Sequence, residues 1–227
     1  GVFTWTPSSS DIGQHTVEFS VTDNHGASTM KSATIVVTSV LQISDVDVTV
    51  NGNLTNNVAP NQIIVAKPGD SIQLSITLTN AGTETLFGIE NNVTLHTAPL
   101  QKASRAVNQL NANANTQGTL TLTVPTIITQ GQYALDIQGF AKNQFLVSRE
   151  AQQTIIIDVQ KEVHQITVQN ASLSPNNWQC VRDGDLTVIF ANTGQFDENV
   201  QVNVKNTALG INATASLSIL ENTQQSL

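Results

Sequence analysis

The sequence predicts an all-β protein built from tandem Greek-key β-sandwiches, and three observations lead to this prediction. Charged residues make up only 11% of the 227 residues, while Asn, Gln, Thr and Ser supply most of the polarity. Thr, Val and Ile, which favour strands, are frequent, and Lys and Glu, which favour exposed helices, are scarce. Alternating apolar and polar runs also recur in two repeated phrases, as strands with one buried face require.

The first repeated phrase predicts a β-hairpin. Residues 12–28 read IGQHTVEFSVTDNHGAS and residues 130–146 read QGQYALDIQGFAKNQFL. Each has Gly-Gln followed by a residue with a ring side chain, His15 or Tyr133. An alternating strand and a turn with Asn come next, and a return strand follows at 33–37 or 154–159. The last two strands of a Greek-key sandwich commonly form such a hairpin, so each copy is expected to close a module.

The second repeated phrase predicts how modules open. Residues 67–85 read KPGDSIQLSITLTNAGTET and residues 182–198 read RDGDLTVIFANTGQFDE. Both give a Gly-Asp turn, an alternating strand and Asn-x-Gly. The two Asn-x-Gly turns, at Asn80 and Asn192, lie 112 positions apart, which suits an immunoglobulin-like (Ig-like) sandwich of about 100 residues.

These repeats divide the chain into three modules. Residues 1–39 are expected to hold only the closing strands of an Ig-like module, residues 40–160 a complete sandwich, and residues 161–227 the opening part of a third. An incomplete sandwich exposes strand edges and half a core. The remaining strands would come from a longer parent polypeptide, which we favour, or from another subunit.

Residues 98–117 interrupt the alternation. Ala98, Leu100, Ala103, Ala106 and Leu110 approach helical spacing, but Asn-Ala repeats are poor helix formers. The segment is therefore expected to be a long polar connection rather than a short helix.

The repeats also resemble known families. Residues 1–39 resemble the closing half of prokaryotic putative-Ig and cadherin-like modules, through the run 1–7, Gly13, the run 17–23 and Gly26. Residues 66–85 and 182–194 resemble CARDB-like cell-adhesion-related domains, with Asp183 replacing Pro68 in the second copy. The resemblance implies seven-stranded sandwiches used as spacers or adhesive units in secreted or surface-anchored multi-domain proteins, hence an extracellular or cell-surface location.

Composition argues against several functions. The net charge is −8 and the nine Lys and Arg residues are widely spread, so no basic track is available for nucleic acid. No apolar run approaches the roughly 18 residues of a membrane-spanning helix. The four histidines show no metal-ligand spacing, and no nucleophile elbow is present, so we expect no enzymatic activity.

Three kinds of candidate site remain. Sequons at Asn53, Asn92, Asn170 and Asn212 predict N-glycosylation at strand ends or surfaces. Weak candidates for Ca²⁺ ligands are the pairs Asp45 with Asp47, Asp183 with Asp185, and Asp23 with Asn24. The alternative is ordinary turn chemistry, and no other cofactor is expected. The single cysteine, Cys180, is a buried inert thiol, half of a disulfide to a partner outside this chain, or a reactive thiol, although no positioned base can be assigned to it.

Two tryptophans are expected in cores rather than in carbohydrate platforms. Phe3 and Trp5 are expected to share a strand face, and Trp178 lies beside Cys180 in an expected strand.

The combined hypothesis is a structural segment of an extracellular prokaryotic surface protein, such as an S-layer, sheath, filament or adhesin. Its expected partners are other copies of itself or flanking modules, and it would act as a spacer and self-association unit, with β-strand complementation between subunits as one route. The alternative is an accessory sandwich beside a secreted enzyme that binds surface glycans or another ligand.

Overall fold

The fold was analysed in a computed structural model, which describes residues 2–7, 11, 13–37, 39–175 and 184–227. Throughout these residues the regular structure consists of β-strands, with no α-helix. The prediction of an all-β fold made of sandwiches is confirmed. The strands fall into three groups that share no sheet, within residues 13–37, 41–159 and 166–226.

The middle group is a two-sheet sandwich. The first sheet has the order β4-β3-β6-β9 and comprises β3 (Leu41–Val50), β4 (Asn53–Thr55), β6 (Ser71–Asn80) and β9 (Asn115–Thr123). The second has the order β5-β11-β10-β7-β8 and comprises β5 (Ile63–Ala66), β7 (Leu86–Leu95), β8 (Gln101–Leu110), β10 (Gly131–Lys142) and β11 (Ser148–Val159). Only β5 and β11 pair in parallel. The chain crosses repeatedly between the sheets, which is the Greek-key strand order of Ig-like domains.

The core of this sandwich lies between the two inner faces. Alternate residues of β6 point inward, so Ile72, Leu74 and Ile76 are fully buried. They meet Ile155 and Ile157 of the opposite sheet in one continuous apolar cluster. Each such buried side chain contributes about 1.5–3 kcal/mol of transfer free energy, which makes this cluster the main source of stability.

The first group is a lone hairpin. It consists of β1 (Gly13–Thr22) and β2 (Ser28–Val37), which pair antiparallel over their whole length. They form a two-stranded sheet, and most of their residues are exposed. An isolated hairpin buries too little apolar surface to be stable alone in water.

The third group opens like the middle sandwich. A sheet of order β12-β13-β16 comprises β12 (Ile166–Ser174), β13 (Asp185–Asn192) and β16 (Gln224–Ser226), and a separate hairpin comprises β14 (Glu198–Asn206) and β15 (Ile211–Ile219). By chain order and pairing these strands correspond to β3, β6, β9, β7 and β8 of the middle sandwich. No described strand of this group corresponds to β10 or β11.

A repeated β-bulge supports this correspondence. The pairing of β3 with β6 shifts register between Ile43 and Asp45, and the pairing of β12 with β13 shifts between Val168 and Asn170. Both shifts come after the same number of paired residues from the Asn-x-Gly turn. A bulge adds one residue to one strand and bends it, so its repetition marks a shared design rather than a local irregularity.

The Asn-x-Gly turns are buried corners with the same hydrogen bonds. The Asn80 amide nitrogen donates to the carbonyl oxygens of Glu84, Leu110 and Asn111 at 2.7–3.1 Å, and its Oδ1 accepts from the Gly82 N–H at 3.0 Å.

Asn192 repeats this arrangement in the third group. Its amide nitrogen donates to the carbonyl oxygens of Phe196 and Ile219, and its Oδ1 accepts from the Gly194 N–H. Both amides have no exposed surface. Each ties the end of a strand in one sheet to the next strands of the opposite layer.

The expectation for residues 98–117 was wrong. Residues 101–110 form β8, which pairs with β7, and residues 115–123 form β9, which pairs with β6. Ala103 and Val107 pack on the core at a spacing of four, which fits a strand period of two as well as a helical turn. The pairing partners, rather than the local propensity, decide the conformation.

The expected core position of Trp5 is also wrong for the described residues. Residues 2–7 form no strand, and Trp5 is 39% exposed, with its ring edge-on to His15 at a centroid distance of 5.5 Å. Phe3 is more exposed still. The alternation of residues 3 and 5 predicted a strand, but the segment packs beside the β1–β2 hairpin, against His15 and residues 35–37, without pairing with it.

We predict that Asn80→Ala destabilises the middle sandwich by about 2–4 kcal/mol, because it strands buried carbonyls and the Gly82 N–H. Chemical denaturation gives the free energy of unfolding. Thr83→Ala, at an exposed position of the same turn, should change it by less than about 0.5 kcal/mol. Equal effects of the two variants would contradict a stabilising role for the amide.

We also predict that Asn91→Val stabilises the middle sandwich by about 1–3 kcal/mol. Asn91 is buried in β7, and neither of its amide atoms has a hydrogen-bond partner. Strand β7 carries one extra residue near Gly88, where its pairing with β10 shifts register. With that residue left out of the count from the corner, the inward positions Ile89, Asn91 and Val93 correspond to Val200, Val202 and Val204 of β14, so the third group carries valine there.

Denaturation curves of Asn91→Val and of its outward neighbour Asn92→Val test this prediction. The second change should be nearly neutral. A loss of stability in Asn91→Val would mean that ordered water binds the amide.

Candidate functional site: the open strand edges and the joint

The two closing hairpins share one turn geometry. In the first, Asp23 Oδ1 accepts the N–H groups of His25 and Ala27, each at 2.9 Å. In the second, Asn143 Oδ1 accepts the N–H groups of Phe145 and Val147, each at 3.0 Å. The acceptor residue also pairs its own N–H with the carbonyl four residues on in both turns. The sequence repeat is therefore a structural repeat.

In the middle sandwich the corresponding hairpin, β10–β11, pairs with a strand on each side, β7 and β5. Strand β10 pairs along β7, with Leu135 opposite Leu95 and Ile137 opposite Val93. The inner face of the hairpin closes the core, and both Leu135 and Ile137 have no exposed surface. Seating therefore satisfies the backbone groups along one edge of β7 and covers an apolar face.

The corresponding face of β1 and β2 is covered only at one end, where Trp5 packs against His15, and is open at the other. Gly13 and Val37 pair as Gly131 and Val159 do, so Val17 and Phe19 correspond to Leu135 and Ile137. Phe19 is 50% exposed, and Val21, the next residue on this face, is 68% exposed. We call the face formed by His15, Val17, Phe19, Val21, Ile35 and Val37 the hairpin face.

Strand β14 has an open edge. One of its edges pairs with β15, as β7 pairs with β8. Its other edge pairs with no described strand, whereas the corresponding edge of β7 holds β10. Val200, Val202 and Val204 point to the inner side and are only partly buried. We call this second edge of β14, with its three valines, the open edge.

Between the second and third groups lies a joint centred on Lys161. Its side chain is 0% exposed, and its Nζ donates to Glu221 Oε1 and Asn222 Oδ1, both at 2.8 Å. The Lys161 backbone carbonyl accepts from Gln195 Nε2, and the preceding residue, Gln160, donates its N–H to the Ala66 carbonyl of β5. The connecting segment is therefore held by both groups.

An exposed ion pair lies beside the buried one. Lys67 Nζ of the sandwich contacts Glu162 Oε1, and both side chains are more than half exposed. The hydrogen bond and the charge of Lys67 lower the pKa of Glu162, and Glu162 in the same way raises the pKa of Lys67. This contact contributes stability above the ordinary pKa of Glu162 and loses it as the pH falls through the lowered value. It is screened by solvent.

The structure places the four sequons on separate strands. Asn53 begins β4, Asn92 lies in β7, Asn170 in β12 and Asn212 in β15. Asn53, Asn170 and Asn212 are exposed, and Asn92 is partly buried. N-glycosylation at these residues stays a prediction.

The calcium candidates do not converge within the described residues. Asp45 and Asp47 point to the outer face of β3, where Asp47 Oδ1 accepts the Asn57 N–H at 3.0 Å and Asp45 Oδ1 is buried without a partner. Asp185 begins β13, and Asp183 lies outside the described residues. In that part of the chain no three His, Cys, Asp or Glu side chains gather as a metal site would require.

Cys180 and Trp178 lie outside the described residues, so their expected roles stay predictions. Two histidines have carboxylate partners: His96 Nε2 lies 2.8 Å from Asp136, and His164 Nδ1 lies 2.7 Å from Glu198. A hydrogen bond from Thr154, aided by His96, lowers the pKa of Asp136. In the described residues no helix is long and apolar enough to cross a membrane.

Sequence reasoning missed the joint and the parallel ladder of β5. Lys161 looked like one scattered charge, and its partner Glu221 is 60 positions away. The run from Ile63 to Ala66 is short and apolar, but nothing in it signals a parallel rather than an antiparallel partner.

Comparisons with known proteins give only distant likenesses. No family model matches this sequence, and no curated protein matches it. Among solved structures, it is similar to the C-terminal domain of Wzt, at 11% identity and a TM-score of 0.40, over 67% of this chain and 84% of that one.

The chain is also similar to the sporulation control protein Spo0M from Bacillus subtilis. The identity is 10% and the TM-score 0.31, over 79% of this chain and 91% of that one. The class of protein is thus given by the fold itself: an all-β chain whose middle part is an Ig-like sandwich.

We predict that Lys161→Ala uncouples the third group from the middle sandwich, because it removes both hydrogen bonds of the joint's buried cation. Nitrogen-15 relaxation should then give separate rotational correlation times for the two groups. Lys67→Ala, which removes only an exposed pair, should leave one shared correlation time. A shared value in Lys161→Ala would contradict the assigned role of the joint.

Proposed function

We propose that this chain is a mechanical spacer in an extracellular prokaryotic surface protein, and that it also associates with copies of itself. An S-layer, sheath, filament or adhesin is the kind of protein in which it would serve. The role proposed is non-catalytic. The observation that carries the proposal is the direction in which tension along the chain meets the parallel ladder of β5 and β11.

The chain enters and leaves the middle sandwich at opposite ends. Before β3, Ser39 Oγ donates to the Glu150 carbonyl near the start of β11. The chain leaves after Val159, at the far end of β11. Tension between the two ends therefore runs parallel to the strands.

The parallel ladder lies across this line of force. The residues of β5 pair with 156–159, at the end of β11. Backbone bonds at 2.8–2.9 Å, from Ile156 N–H to the Gln62 carbonyl and from Gln160 N–H to the Ala66 carbonyl, flank the pairing. Pulling β5 and β11 in opposite directions shears these bonds together rather than opening them one at a time. Such a geometry resists force, which supports a spacer under tension.

The joint extends this argument to the neighbouring group. Lys161 and Gln160 tie the segment that leaves β11 to both sides, so the third group is held close to the end of the ladder. A spacer that transmits force needs short, fixed connections rather than flexible linkers.

Single-molecule pulling tests the proposal. Stretching the chain should unfold the middle sandwich in one event, with a length gain of roughly 400 Å from roughly 120 residues at about 3.4 Å each.

We predict that Ala66→Pro lowers the unfolding force and reduces stability by about 1–3 kcal/mol. In an extended strand a residue's N–H and C=O point to the same side, so the Ala66 N–H faces β11.

Val65→Pro is the matched control. Val65 faces the free edge of β5, where proline removes no ladder bond, so the force should be unchanged and stability should change by less than about 1 kcal/mol. Unfolding at low force in the unmodified chain, or equal losses in both variants, would contradict the proposal. Antibodies against the chain should also label intact cells.

A further inference from the structure

We propose that the hairpin β1–β2 of one copy of this chain seats on the open edge of β14 in a second copy, and that repetition of this contact builds a linear, head-to-tail assembly. The inference rests on the proposed function and names the self-association surface. The segment that would occupy the open edge is the hairpin β1–β2, and the pairing of β10–β11 with β7 within the chain is the template for the contact.

The template is the seat of β10–β11 on β7. The hairpin β1–β2 repeats the turn, the antiparallel pairing and the alternation of β10–β11. Strand β14 repeats the position of β7 relative to its neighbour and to the buried Asn corner. The two halves of one interface are therefore present at separate places in the described chain. Within the described residues, the part of the hairpin face formed by Phe19 and Val21 and the open edge of β14 are both uncovered.

The template also fixes the register. Because Ile137 lies opposite Val93, the corresponding Phe19 would lie opposite Val204, and Val21 would lie opposite Val202. All four side chains point to the inner side of the completed sandwich. Backbone bonds between β1 and β14 would give strength, and these apolar pairs would give register, as in other strand-addition interfaces.

The contact cannot easily close within one copy. The hairpin β1–β2 precedes β3 at one end of the middle sandwich, and the third group follows β11 at the other end. Strand β10 alone has 12 residues, which span roughly 40 Å. A contact between two different surfaces at opposite ends of a molecule generates an open chain of subunits rather than a closed dimer.

Two complementary variants test the inference in analytical ultracentrifugation. Phe19→Asp leaves the open edge intact but charges the hairpin face, and Val204→Asp does the reverse. The unmodified chain should form a concentration-dependent series of dimers, trimers and longer species. Each variant alone should weaken self-association at least about thirtyfold, the effect of an interface hot spot.

Mixing the two variants gives the decisive result. The intact hairpin of Val204→Asp should seat on the intact edge of Phe19→Asp, so the mixture should form a dimer and nothing longer. This contact uses neither mutated surface, so the result holds even where a substitution unfolds the group that carries it. Ser20→Asp and Asn203→Asp, on the outer faces of the same strands, should associate like the unmodified chain.

Three outcomes would overturn the inference: a monomeric unmodified chain at every concentration, variants that associate normally, or a mixture that stays monomeric. A monomeric chain that still unfolds at high force would remove only this inference and leave the spacer function in place. If the chain unfolds at low force but still assembles head to tail, the spacer function would be removed and this inference would stand.

Discussion

Every open β-sheet has two unmet requirements: an apolar face that must be covered, and a row of backbone groups along each edge that must be paired. In the middle sandwich the closing hairpin meets both at once, because β10 pairs along β7 while its inner side chains complete the core. The outer two groups share the parts of this design but not its completion within the described residues. The hairpin face and the open edge present the two sides of this one requirement.

The repeated units are held in register by a few polar devices rather than by apolar packing alone. A hydrophobic face tolerates a slip of two residues, since the same side chains remain inward. The corner amides of Asn80 and Asn192 do not, because each must reach particular carbonyls. The bulge after Ile43, matched after Val168, adds a second fixed point. These devices specify where strands pair, and the valines and isoleucines supply most of the free energy.

Much of the fold was predictable because its signals are local. Alternation gave the strands, and the repeated phrases gave the hairpins and the Asn corners. Residues 98–117 failed because a spacing of four fits both a helix and a strand, and only the partners β7 and β6 decide between them. The prediction for Trp5 failed because alternation cannot show whether a segment will pair with the sheet beside it. The joint was unpredictable for a similar reason: Lys161 and Glu221 meet only after both groups have folded.

The direction of the strands connects these local features to a role. The chain crosses the middle sandwich from the Ser39 end to the Val159 end, so a force or a growing assembly would run along the same line. The parallel ladder of β5 stands across that line, and the joint at Lys161 continues it into the third group. In the proposed assembly, the hairpin at one end and the open edge at the other would extend this line to the next molecule. The same axis would then serve both resistance to tension within one copy and addition of the next copy.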